Sequence, residues 1–209
     1  MQAGLFDQAP RSDCYEEHDL GDASIREYQR AFSFEEATYY LQKLRDNIPW
    51  RQAYLTIAGK SIAVPRLQCW MGDSDAVYGY SGLRLTPEPW HEAVESIRQR
   101  IRVLTGAEFN SVLLNYYRDG KDSVAWHADD ESELGSNPII ASVSLGAVRD
   151  FELKHKLTKG AARYRLPLQN GSLLLMGNTL QNRWLHQIPK TNSESSPRIN
   201  LTFRQILKN

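Results

Sequence analysis

Polar and apolar residues alternate strictly along Pro197-Arg198-Ile199-Asn200-Leu201-Thr202-Phe203-Arg204. Side chains on a strand point to opposite faces with period two. Ile199, Leu201 and Phe203 therefore share one face, and Arg198, Asn200, Thr202 and Arg204 share the other. Strand-like patterning recurs after residue 108, near 111–117, 123–129, 138–145, 148–155, 163–168, 172–176, 183–188 and 197–206. Turn signals separate the runs: Asp119-Gly120, Gly135-Ser136-Asn137-Pro138, Gly146, Gly160, Asn170-Gly171 and Gly177-Asn178. Eight short strands in succession fit a double-sheet jelly roll.

Upstream the apolar period changes. Phe34, Ala37, Leu41, Leu44 and Ile48 recur at helical spacing behind Ser33-Phe34-Glu35-Glu36, a capping box, and Pro49 stops the helix. A second helix is predicted from Thr86-Pro87 through Trp90, Val94, Ile97, Ile101 and Leu104 to Gly106. Between them, 51–85 alternates short strands with turns such as Gly59-Lys60 and Gly72-Asp73. Residues 1–30 lack clear periodicity and suit a lead-in or a pair of short strands. The expected class is α+β, mainly β, with a jelly-roll core over 108–207 and helices packed on one outer face.

Length and composition narrow the setting. A chain of 209 residues fits one domain, and 41% hydrophobic content supports a real core. Two cysteines, Cys14 and Cys69, make no disulfide framework or thiolate metal site, which fits a reducing compartment. Neither a secretory leader nor a long apolar run is visible, so the expected location is the cytoplasm, with no membrane and no obligate protein partner. Net charge is zero but uneven. Residues 1–50 hold five Lys+Arg against ten Asp+Glu, leaving twenty against fifteen for the remainder. The basic run Arg149, Lys154, Lys156, Lys159, Arg163 and Arg165 suits either a phosphate backbone or a solvated hairpin flank.

The chemistry begins at Trp126-His127-Ala128-Asp129. On a strand, His127 and Asp129 share a face and can point at one ion. His186 lies in another strand-like run. Two histidines and a carboxylate with other positions open form the facial triad of non-heme Fe(II) oxygenases, whereas the usual zinc sites use more histidine or sulfur. Arg198 and Arg204 are about 20 Å apart on a fully extended strand. That separation suits long side chains reaching the two ends of a dicarboxylate, because guanidinium forks bind carboxylates bidentately. The alternative is a solvated outer face of an edge strand. Asn115 and Tyr117 share a face of the 111–117 run, where an amide and a phenol could bind the same acid or form a polar rim.

The order Asn115-x-Tyr117, His127-x-Asp129, His186 and Arg198-x-Asn200-x-Thr202-Phe203-Arg204 resembles the AlkB family of 2-oxoglutarate- and Fe(II)-dependent dioxygenases. The likeness covers about 65–206 and includes Pro65-Arg66, Tyr78-x-Tyr80-Ser81-Gly82, Phe109-Asn110, the 138–146 run and Gly171-Ser172-Leu173-Leu174. The resemblance implies one Fe(II) per chain on His127, Asp129 and His186, with 2-oxoglutarate and O2 as cosubstrates. It implies that Arg204, with Asn115, faces the metal-proximal carboxylate of 2-oxoglutarate and that Arg198 and Tyr117 take the distal one. Asn200 and Thr202 belong to the same cofactor-binding strand. It also implies a nucleotide-recognition lid over 51–90, ahead of the core.

The implied reaction is oxidative removal of alkyl groups from nucleobase nitrogens in DNA, with succinate and an aldehyde as products. Lesions such as 1-methyladenine and 3-methylcytosine are cationic, and aromatic faces and carboxylates favour cations. Tyr78, Tyr80, Trp70, Arg66 and Glu131 are the expected substrate-binding residues. Glu131 is two positions beyond Asp129 on the same predicted face, and Asp130 points away. The hairpin tip at Ala58-Gly59 offers little bulk to fill the gap left by a flipped base, so single-stranded substrate is expected to be preferred. Two alternatives stand beside this: the same oxygenase chemistry on RNA or protein, and a metal-free jelly-roll binding module.

Overall fold

The computed structural model describes residues 14–57, 59–76, 78–80, 83–85, 87–158, 163–177, 179–193 and 196–207. In chain order the elements are β1 (Glu16–Asp19), β2 (Ser24–Tyr28), α1 (Phe34–Asn47), β3 (Arg51–Ile57), β4 (Lys60–Gly72), β5 (Tyr78–Tyr80) and β6 (Leu83–Leu85). Then follow α2 (Glu92–Thr105), β7 (Ser111–Tyr117), β8 (Val124–His127), a 3-10 turn (Ser132–Leu134), β9 (Ile140–Gly146) and β10 (Arg149–His155). The chain continues through β11 (Tyr164–Leu168), β12 (Ser172–Met176), α3 (Leu180–Arg183), β13 (Trp184–Ile188) and β14 (Arg198–Arg204).

The strands form an eight-stranded sheet in the order β1-β2-β12-β9-β14-β7-β4-β3 and a four-stranded sheet in the order β11-β10-β13-β8. The pairings within both sheets are antiparallel. All eight strands expected after residue 108 are present, and the architecture is a jelly roll with helices against the outer face of the large sheet.

Two layers of core follow from the alternation. Ile199, Leu201 and Phe203 of β14 join Leu114, Val143, Leu145 and the inner faces of both helices, including Ala37, Leu44, Val94, Ile97, Ile101 and Leu104. Phe151, Leu153, Leu166, Leu168, Leu174 and Ile188 fill the other layer. β14 lies between β7 and β9, and all seven of its residues are buried. The solvated edge-strand alternative therefore does not hold.

The predicted capping box forms in both directions: Ser33 accepts from the Glu36 N–H, and the Glu36 carboxylate accepts from the Ser33 N–H. The second helix starts later than expected, at Glu92 with His91 as its cap. The reason is that Glu88 is tied to the edge of β4. Its N–H donates to the Trp70 carbonyl and its carbonyl accepts from Gly72, so residues 87–90 run alongside β4. Trp90 precedes the helix, and its indole N–H donates to Asp73. β4 pairs with β7 from Leu67↔Tyr116 to Gly72↔Ser111, so the β3–β4 hairpin extends the large sheet. The expected tip residue Ala58 is outside the described residues. Among the described residues no helix is long and apolar enough to cross a membrane.

Gly171 closes the β11–β12 turn with φ of 82°, and a Cβ there would stand 2.6 Å from the Phe32 carbonyl oxygen. Left-handed backbone costs a non-glycine residue about 1–3 kcal/mol. Gly171→Ala is expected to lose at least that much in urea unfolding; an unchanged midpoint would show that the turn relaxes freely.

Candidate functional site

The space between the sheets opens as a cavity whose lining includes His127, Asp129, His186, Asn115, Tyr117, Arg66, Arg198, Asn200, Thr202 and Arg204. Residues expected to share a site from four separate stretches of sequence thus converge. His127, Asp129 and His186 each bring a donor atom to within 4.8 Å of the others. The two histidines face each other across the β8–β13 pair, with ring centroids 4.3 Å apart.

Asp129 arrives by a route the strand pattern did not show. β8 and its pairing end at His127, so His127 and Asp129 do not share a strand face. Asp129 is in the following loop. Its N–H donates to the Gln181 side-chain carbonyl at 2.9 Å, and its carboxylate accepts from Arg204 at 2.7 Å. Asp130 does turn away, to Lys156. Glu131 is likewise off any strand: it precedes the 3-10 turn, and one of its carboxylate oxygens is buried without a hydrogen bond.

The electrostatics suit a divalent metal. The His127 Nδ1 pairs with the Ala125 carbonyl at 2.8 Å, which as an Nδ1–H donor leaves Nε2 its lone pair. Burial, reinforced by neighbouring His127, pushes His186 down to about 3, so it is neutral and able to ligate at neutral pH. Its Nδ1 is buried without a hydrogen-bond partner. Burial alone would raise Asp129, but the neighbouring Arg204 charge leads the effects that hold it at about 2. Two imidazoles, one fixed carboxylate and no thiolate match the donor set that Fe(II) takes in oxygenases.

The arginine end suits a dicarboxylate. Arg198 is opposite Tyr117 in the β14–β7 register, and its guanidinium is 5.1 Å from the Tyr117 ring. It is 1% exposed and donates to Ser144 at 2.9 Å, while its Nε and Nη1 are buried without partners. Burial draws its pKa down, with Tyr117 opposing. A guanidinium held dry with two unused nitrogens is arranged for an incoming carboxylate.

Asn200 and Thr202 brace the cavity wall: Asn200 donates to Ser142 and the Val143 carbonyl, and Thr202 donates to Asn200. Asn115 is opposite Asn200, and its side-chain oxygen accepts from Arg66 at 2.7 Å and Gln68 at 2.9 Å. Arg66 also donates to the Ser123 carbonyl, tying β4 to the approach to β8.

The expected aromatic contacts divide. Trp70 is 8% exposed and packs in the core with Tyr117 and Phe151, so the structure does not bring it to the cavity lining; strand alternation could not say which face was covered. Tyr78 and Tyr80 form β5, with their side chains outside the described residues. Gln181, which the pattern gave no reason to select, is a contact of Asp129. A second group, Glu16, His18 and Glu27, also gathers donor atoms. Here His18 is engaged on both nitrogens, with Glu27 at 2.8 Å and the Tyr164 hydroxyl at 3.0 Å, so the group serves as a buried hydrogen-bonded tie between the sheets.

Comparison with known proteins defines the class. The model of the 2OG-Fe(II) oxygenase superfamily matches residues 24–204. The chain is similar to the DNA oxidative demethylase ALKBH2 of Homo sapiens, 41% identical over 189 residues that span 86% of this chain and 72% of that protein. It is 40% identical to the human alpha-ketoglutarate-dependent dioxygenase alkB homolog 3, over 82% of this chain and 62% of that one. The solved structure of OsALKBH1 superposes with a TM-score of 0.57 at 17% identity, over 91% of this chain and all of that one, and supports the fold. The chain belongs to the AlkB family of the 2-oxoglutarate- and Fe(II)-dependent oxygenases. It is a dioxygenase that uses Fe(II), 2-oxoglutarate and O2.

The His186 environment generates a pH prediction. Its folded-state pKa is depressed, so its contribution to stability is complete above the unfolded value near 6.5 and falls as pH drops toward about 3. Metal-free protein is expected to lose roughly 2–3 kcal/mol between pH 6.5 and 4.5 from this group. His186→Leu should flatten denaturant midpoints across that range. Equal pH slopes in the two proteins would show that His186 is not buried neutral.

Proposed function

We propose that the protein removes alkyl groups oxidatively from N-alkylated bases of the 1-methyladenine and 3-methylcytosine type in DNA. The observation that carries this reading is the convergence of His127, Asp129 and His186 with Arg198, whose two unpartnered buried nitrogens await a carboxylate. The names of the similar human proteins supply the substrate class.

In this reading His127, Asp129 and His186 hold one Fe(II), which with 2-oxoglutarate and O2 supplies the oxidising power for hydroxylating an N-alkyl carbon. Arg198 and Tyr117 hold the distal carboxylate of 2-oxoglutarate. Arg204 serves both Asp129 and the proximal carboxylate, and the Asn115 amide donates beside it while its oxygen stays with Arg66 and Gln68. Asn200 and Thr202 keep this wall rigid. The 51–90 segment acts as the nucleotide-recognition lid: Tyr78 and Tyr80 supply aromatic faces for the flipped base, and Arg66 orders the lid's attachment. The buried, unpaired Glu131 oxygen gives a cationic lesion a counter-charge. Single-stranded DNA is the preferred form, and the cytoplasm the place of action.

Two measurements test the reading. His127→Ala, Asp129→Ala and His186→Ala should each fold yet lose at least about 100-fold in iron-dependent release of formaldehyde from a 3-methylcytosine oligonucleotide, since each removes a ligand from a minimal site. Activity near wild type in any variant would displace that residue from the ligand set. Parallel reactions on methylated RNA and peptide separate the substrate classes, and faster turnover of either would move the assignment away from DNA. The second measurement compares kcat/KM for the same oligonucleotide alone and annealed. Single-stranded substrate should be favoured, because opening a duplex costs a few kcal/mol per flipped base. Equal or faster repair of the duplex would overturn that preference.

A further inference from the structure

We infer that Gln181 is the positioning residue for Asp129, and that α3 couples this carboxylate to the strand carrying His186. This rests on Asp129 being a metal ligand. β8 pairing stops at His127, so residues 128–130 carry Asp129 past the end of the ladder. Arg204 can neutralise the Asp129 carboxylate, but it binds one oxygen at 2.7 Å and leaves the backbone beneath it unspecified.

Gln181 supplies that specification. Its side-chain carbonyl accepts the Asp129 N–H at 2.9 Å across 52 positions of sequence, and it is 1% exposed. The amide end points toward the Met176 sulfur at 4.0 Å, a weak acceptor, which fixes the carbonyl oxygen toward Asp129. A second tie reinforces the first. The Lys156 ammonium donates at 2.8 Å both to the Gln181 backbone carbonyl and to the Asp130 carboxylate. Two consecutive loop residues are thereby fastened to one residue of α3. β13 follows α3 directly, and His186 is five residues beyond Gln181. Hydrogen bonds that orient ligands from behind typically contribute 10–100-fold to metal affinity.

The test uses Co(II), which reports on the ligand field through its visible bands without turnover. Apoprotein with 2-oxoglutarate is titrated with Co(II) for wild type, Gln181→Met, Gln181→Glu and Asp129→Ala. Gln181→Met keeps the side-chain length but removes the carbonyl acceptor. It should weaken Co(II) binding about 10-fold or more and alter the visible bands, raising the Fe(II) requirement while leaving KM for 2-oxoglutarate unchanged. Gln181→Glu keeps a carbonyl oxygen at the same reach and should restore most of the affinity. Wild-type Co(II) affinity and spectrum in Gln181→Met, or an equal loss in Gln181→Glu, would overturn the positioning role. If Gln181→Met fails to fold, Lys156→Met decides: weaker Co(II) binding sustains the brace and wild-type binding overturns it. Undiminished binding in Asp129→Ala would instead sink the ligand assignment, whereas loss there with none in Gln181→Met sinks only the brace.

Discussion

The structure turns on burying two guanidinium groups in the middle of a sheet. β14 is paired on both sides and buried at all seven residues, so Arg198 and Arg204 cannot reach water along the strand. A buried charge costs several kcal/mol unless it is paired and hydrogen-bonded. The chain answers this differently at the two ends. Arg204 receives a fixed carboxylate, Asp129, from a loop 75 positions away. Arg198 receives a hydroxyl from Ser144 and the face of Tyr117, but its Nε and Nη1 remain without acceptors. One arginine therefore organises the protein's own anion, and the other is left to take one from solution.

That asymmetry orders the cavity. Arg204 holds Asp129 ionised among two histidines, and burial keeps His186 neutral. Asp129 and His186 thus stand in the protonation states a metal ligand needs near neutral pH. Along the same strand face, Asn200 and Thr202 spend their hydrogen bonds on Ser142, the Val143 carbonyl and each other, so they stiffen the wall between the two arginines. Cost and function coincide, because the polar face that would destabilise an ordinary core strand becomes satisfied when both ends find carboxylates.

Much of this was legible because alternation is local. The faces of β14 and β7 and the capping box of α1 follow from spacing within a few residues, whereas the pairing of Arg198 with Tyr117, across 81 positions, was implied only by the family resemblance. The triad was legible as composition and order, but the reason given for it was incomplete. Asp129 is held by Gln181 and Arg204, 52 and 75 positions distant, not by the strand that presents His127. No local pattern encodes those contacts. The start of α2 failed for a related reason: Thr86-Pro87 is an acceptable helix start, yet Glu88 gained more by bonding the backbone of β4. The burial of Trp70 was not legible either, because alternation tells which residues share a face, not which face another layer will cover.

The basic run at 149–165 shows how tertiary pairing revises a charge count. Arg149 is buried and donates to the carbonyls of Asp119, Asp122 and Pro189. Arg165 pairs with Asp150, Arg163 is 3.7 Å from Glu152, and Lys156 is held by Asp130. Lys154 rests over the Trp126 ring at 4.4 Å, with Arg163 at 5.4 Å. Most of these cations are already matched within the chain, so the solvated-flank alternative fits them better than a track for phosphates. With zero net charge and no large unmatched basic stripe here, long-range attraction contributes little to holding a nucleic-acid strand. The β3–β4 hairpin, by contrast, exposes Tyr54 and Ile62 at 61% and 48%, on its two opposite faces.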